Sequence, residues 1–265
     1  MMRESECDHR TGGNVRRAVN RVLRIHIALT VLFAVSISGC SQSGAAAKID
    51  PHKQPLEALK AGNRRFCTQA PPHPHMDAAR RHDTAIHGQH PFAAVVACSD
   101  SRVPVEDLMG AGIGDIFVIR VAGNVCMTDE TGSVDYAVEH LHVPLVVVLG
   151  HTGCGAVTAA VKHSPEHGSI TRLLNHIDLA VGDVRGDHPE LKGDALIAAS
   201  IEANVWRSIE DLITHSASIR DALRAGELEI QGAIYDLDTG EVRWLGSHPR
   251  QNQLAANARD DGFGD

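Results

Sequence analysis

Residues 91–104 read PFAAVVACSDSRVP: an apolar run that stops on Cys98 and is followed at once by Asp100 and Arg102. The run Phe92 to Cys98 is continuously apolar and does not alternate, which marks a strand covered on both faces. Two more stretches share that character, IFVIRV at 116–121 and PLVVVLG at 144–150. Helical patterns separate them: 131–142 between the second and third, then 155–163, much of 169–181, and 195–224 around a break at Pro189. Apolar strands alternating with helices predict an α/β fold with a central, mostly parallel sheet flanked by helices. Near the end, 228–237 and 241–247 are strand-like and joined by Asp-Thr-Gly, a hairpin signal that predicts an antiparallel edge strand.

In parallel sheets ligands bind beyond the carboxyl ends of the strands. Cys98 ends the first strand, and HTGCG at 151–155 follows the third. If those strands are neighbours, Cys98, His151 and Cys154 meet at one edge of the sheet. Two thiolates and an imidazole suit zinc, Zn2+, by ligand type and by tetrahedral preference. Three protein ligands leave a fourth position open for a water whose pKa falls to about 7. Cys126 and the remaining histidines are the other candidates for a fourth ligand, but none follows a strand end with comparable spacing. Two thiolates also cancel the metal's charge, so a helper group is expected. Asp100 is placed to accept a hydrogen bond from the zinc-bound hydroxide, and Arg102 to hold that carboxylate away from the metal. A plain turn ion pair is the bland alternative for these two.

CSDSR at 98–102 together with HTGCG at 151–155 resembles the β-class carbonic anhydrases, and the similarity runs from about Pro55 to His248. The resemblance implies reversible hydration of carbon dioxide to bicarbonate and a proton, with zinc on Cys98, His151 and Cys154 and with Asp100 and Arg102 as a catalytic dyad. It further implies that Gln89 binds substrate, that Phe117 and Tyr136 line a narrow apolar pocket, often from the partner subunit, and that Gly155 lies beside the substrate at a helix start. RVAGN at 120–124 departs from the family's Arg-Asn-Ala-Gly-Asn at Val121. Family members are homodimers or higher homo-oligomers whose N-terminal helices embrace the partner; 55–69 and 76–88 are the candidates here. Hydrolysis of a sulfur analogue such as carbon disulfide or carbonyl sulfide needs the same chemistry and stands as an alternative. So does a non-catalytic zinc- or bicarbonate-binding lipoprotein.

Composition removes other classes. The 265 residues carry a formal charge of -8 and only 3% aromatics, which argues against nucleic acid as a partner. No C-x-x-C pair occurs, so a thiol redox protein is disfavoured.

The N-terminus is a separate unit. Four arginines in 16–24 precede the apolar IHIALTVLFAVSIS at 25–38 and then Gly39-Cys40. That is the order of a secretory signal, too short for a comfortable membrane span, and its ending resembles a bacterial lipobox with Cys40 as the lipidated residue. The expected organisation is a signal peptide over 1–39, a tether over 40–54, the catalytic domain over 55–248, and a disordered tail over 249–265. The expected location is the periplasmic face of the cell envelope, held to the membrane by the lipid anchor only.

Overall fold

The computed structural model describes residues 49–68 and 74–257; the leader, Cys40 and most of the tether lie outside the described residues. Among the described residues, no helix is long and apolar enough to cross a membrane. Five strands, β1 (Ala93–Cys98), β2 (Ile116–Val121), β3 (Leu145–His151), β4 (Glu229–Tyr235) and β5 (Val242–Gly246), form one sheet in the order β2-β1-β3-β4-β5. The first four run parallel and β5 closes the edge antiparallel to β4. The expected fold class is what the chain adopts.

Every residue of β1 and β3 is buried, which is why neither strand alternates in sequence. Ala94, Val96, Val146 and Val148 face one apolar layer, and Ala93, Val95, Ala97, Val147 and Leu149 face the other. Burying a valine or leucine side chain stabilises by about 1.5–3 kcal/mol, so these two strands anchor the fold. Helices α1 (Pro55–Cys67), α2 (Ala78–His87), α3 (Val105–Met109), α4 (Thr128–Glu139) and α5 (Gly155–Lys162) precede α6 (Ser169–Asp187), α7 (Gly193–His215), α8 (Ala217–Ala225) and α9 (Gln251–Asn257). The first layer is covered by α5, α6 and α7, and the second by α1 and α3. A Cβ on Gly62 would come 1.7 Å from Met109 O, so the backbones of α1 and α3 meet where only glycine fits.

The elements depart from the sequence reading in several places. The α4 helix begins at Thr128 rather than at 131, because the Glu130 carboxylate accepts the Met127 N–H at 3.1 Å and caps the earlier turn. The 195–224 stretch divides at Ser216, whose Oγ accepts the Ile219 N–H at 3.0 Å and starts α8. The five-residue α3 is too short to show a helical period. The tail expected to be disordered from 249 forms α9 over 251–257, since Ala255 is buried and its carbonyl accepts from Arg224 Nη1 at 2.8 Å.

Candidate metal centre and active site

Because β1 and β3 are adjacent and parallel, with Ala97 beside Leu149, their carboxyl ends open on the same edge. Cys98 is the last residue of β1, His151 the last of β3, and Cys154 immediately precedes α5. All three are buried, and their ligand atoms lie within 4.8 Å of one another. Thr152 secures the loop between them: its N–H donates to Tyr235 O at 2.9 Å and its Oγ1 accepts the Leu237 N–H at 3.0 Å.

His151 Nδ1 lies 2.9 Å from Thr152 O. A carbonyl only accepts, so the proton sits on Nδ1 and the lone pair on Nε2. That Nε2 is fully buried and has no hydrogen-bond partner, a costly arrangement unless it ligates a metal. Cys98 Sγ accepts the N–H of Gly123 at 3.3 Å and of Asp100 at 3.4 Å. The Cys154 thiol, burial notwithstanding, pulls Cys98 down to about 4 by sharing its proton, with the two backbone N–H groups assisting. Cys154 is pushed up as the proton donor of that pair and by burial. These contacts favour the thiolate at Cys98, the form in which a cysteine binds metal.

Gly123 lies in a single 3₁₀ turn, Ala122–Asn124, after β2. Its φ is +72°, and a Cβ there would stand 2.6 Å from Ile177 Cδ1. Glycine is therefore required for its N–H to reach Cys98. Sequence inspection did not single out this contact, since the turn is recognisable but its proximity to the sulfur is not.

Asp100 and Arg102 form a bidentate pair, Nε to Oδ1 at 3.0 Å and Nη2 to Oδ2 at 2.7 Å, and the Arg102 N–H donates to Oδ1 at 3.0 Å. The Arg102 guanidinium holds the Asp100 carboxyl well below the usual carboxylate range; burial opposes this, and the Arg102 N–H reinforces it. Asp100 Oδ2 stands 3.9 Å from His151 Nε2, so the carboxylate borders the ligand cluster. Arg102 Nη2 also reaches Gly153 O at 3.4 Å, joining the two loops. A second arginine, Arg120 on β2, donates to Cys98 O at 3.1 Å and to Asp100 O at 2.6 Å, supporting the backbone of the whole CSDSR segment.

The carbonic anhydrase family model matches residues 93–242. Carbonic anhydrase 2 of Mycobacterium tuberculosis is 36% identical over 199 residues, covering 72% of this chain and 93% of the relative. The carbonic anhydrase of Mycolicibacterium smegmatis is 36% identical over 211 residues, covering 75% and 96%. Among solved structures, the β-carbonic anhydrase CafA of Aspergillus fumigatus superposes with a TM-score of 0.61 at 28% identity, covering 78% of this chain and 96% of that one.

The chain belongs to the β-class carbonic anhydrase family.

β-Carbonic anhydrases use zinc, and the residues present fit it: two soft sulfurs and an imidazole nitrogen otherwise orphaned. Cys126, weighed as a fourth ligand, is not part of the cluster. It is a free, fully buried thiol, pushed up by burial and by the nearby Asp211 and Glu130. Cys67 is also free.

The other residues of this β-carbonic anhydrase expected at the substrate divide. Gly155 opens α5 directly after Cys154. Phe117 and Tyr136 meet each other, ring centroids 6.1 Å apart. Phe117 pairs with Ala94 whereas Cys98 pairs with Val121; four residues of strand set Phe117 back by roughly 13 Å. Tyr136 is 48% exposed and Gln89 is exposed too.

Proposed function

We propose that this chain catalyses the reversible hydration of carbon dioxide to bicarbonate and a proton, with Cys98, His151 and Cys154 holding zinc and Asp100 and Arg102 acting as the catalytic dyad. The observation that carries the reading is the buried, unpartnered Nε2 of His151 beside two cysteine sulfurs, with the Asp100–Arg102 pair on its border. Bound zinc supplies the Lewis acidity that makes a hydroxide nucleophile available near neutral pH. Asp100 Oδ2 accepts the hydrogen of that attacking oxygen and turns its lone pair toward carbon dioxide. Arg102 occupies both carboxylate oxygens and so keeps Asp100 from becoming a fourth ligand. Arg120 fixes the backbone on which both depend. At the start of α5 the N–H groups of Ala156 and Val157 donate to the Cys154 sulfur, which leaves the Gly155 N–H for the developing bicarbonate charge.

Gln89, Phe117 and Tyr136 complete the pocket from a second copy of the chain. The half-exposed Tyr136 on α4, packed on a partly buried Phe117 on β2, supports a homodimer or higher homo-oligomer as the active form. The leader supports an exported enzyme anchored through lipid at Cys40.

The test is zinc content and stopped-flow hydration of carbon dioxide, beside a Cys98→Ser variant. Stoichiometric zinc with no hydration at pH 8 overturns the enzymatic reading.

A further inference from the structure

The inner face of α7 is aliphatic at Ile201, Val205, Ile209 and Leu212, yet it also buries Asn204 and Ser208, 1% and 2% exposed. A buried amide is tolerated only where its hydrogen bonds are made. Asn204 Nδ2 donates to Gly123 O at 2.7 Å. Ser208 Oγ lies 2.9 Å from Asn124 O and 2.9 Å from Asn204 O. Two polar side chains of one core helix thus grip successive carbonyls of the turn whose N–H reaches Cys98 Sγ. That turn has left-handed backbone at both Gly123 (φ +72°) and Asn124 (φ +46°), a conformation open to glycine and, among residues with side chains, most readily to asparagine.

We infer that Asn204 is a positioning residue for the metal centre: its amide holds Gly123 so that the Gly123 N–H stays aimed at Cys98 Sγ and tunes that sulfur as a zinc ligand. The inference rests on the reading that Cys98 ligates zinc. A hydrogen bond to a thiolate withdraws density from the sulfur lone pairs and fixes their direction, and outer contacts of this kind typically change metal affinity ten- to hundredfold. Asn204 touches neither substrate nor metal ligand. Its influence passes through one glycine whose left-handed φ of +72° disfavours any side chain.

The experiment compares wild type, Asn204→Leu, Asn204→Asp and Ser200→Ala. Ser200 is buried on the same helix with a hydroxyl that has no partner among the described residues, so it reports on packing alone. Zinc affinity is measured by chelator competition, the thiolate-to-metal absorption band on the cobalt-loaded protein, and folding by thermal unfolding. Both Asn204 variants are expected to bind zinc ten- to hundredfold more weakly and to move the band to longer wavelength, with Ser200→Ala doing neither. If Asn204→Leu does not fold, Asn204→Asp decides, since it keeps the shape and replaces the donor by an acceptor. A folded Asn204 variant with wild-type affinity and band position overturns the inference, as does an equal shift in Ser200→Ala. Wild type without zinc, or a cobalt form without thiolate absorption, instead brings down the metal-site reading itself.

Discussion

At the carboxyl ends of β1 and β3, the three ligand candidates and their supports are buried or paired within one chain, whereas the aromatic patch on β2 and α4 leaves Tyr136 half exposed and Gln89 exposed. The first region closes because adjacent parallel strands deliver Cys98 and His151 to one edge, and because Thr152, Gly123 and Arg120 hold the loops that follow. The second stays open because Phe117 lies back along β2 and faces no group of the centre. The difference separates the two halves of the task. The proposed metal chemistry is an intrachain product of the sheet, and the proposed substrate pocket requires a second copy.

The largest expected effect breaks the closed region. Cys98→Ser or His151→Ala should lose zinc and lower hydration at least about a thousandfold, measured by metal analysis and stopped flow; retained zinc in both would dissolve the centre as described. Next, Asp100→Asn and Arg102→Ala should keep zinc while kcat falls about a hundred- to a thousandfold, so an unchanged kcat would reduce the pair to a turn ion pair. Smaller is the effect on the open region. Phe117→Ala with Tyr136→Ala should weaken association and lower activity about tenfold, read by sedimentation velocity together with activity against dilution. A monomer as active as wild type would erase the contrast between the two regions.

The smallest effect lies far from both. His248 is buried, and burial lowers its pKa below the ordinary 6.5, with Glu210 opposing and Arg250 assisting. The folded state therefore keeps the ring neutral: its contribution is intact above about 6.5 and is lost as pH falls through the lowered value, because only the unfolded chain takes up the proton. Thermal unfolding across pH 5–7 should show this decline in wild type and less of it in His248→Gln. An identical decline in both would assign it elsewhere.

Strand positions and strand ends were legible because burial on both faces removes alternation, a signal carried by local residues alone, whereas the order of the strands in the sheet was not. The pairing of Asp100 with Arg102 was legible for the same reason, since two residues of separation suffice for a bidentate contact. Gly123 and Asn204 were not: they are 81 residues apart, and an asparagine on an aliphatic helix face carries no period that tells what it binds. The α9 helix was hidden in a polar tail because one buried alanine and one arginine contact from α8 hold it.

By itself the sequence determined the candidate ligand types, the closeness of Asp100 to Arg102 and the parallel α/β plan, since residue type and short-range spacing set all three. Only the tertiary structure decided that His151 presents Nε2 rather than Nδ1, that Gly123 and Arg120 support Cys98, and that the aromatic patch stands apart from its own chain's centre. Those facts depend on strand register and on contacts across many residues of chain, and no local pattern encodes them.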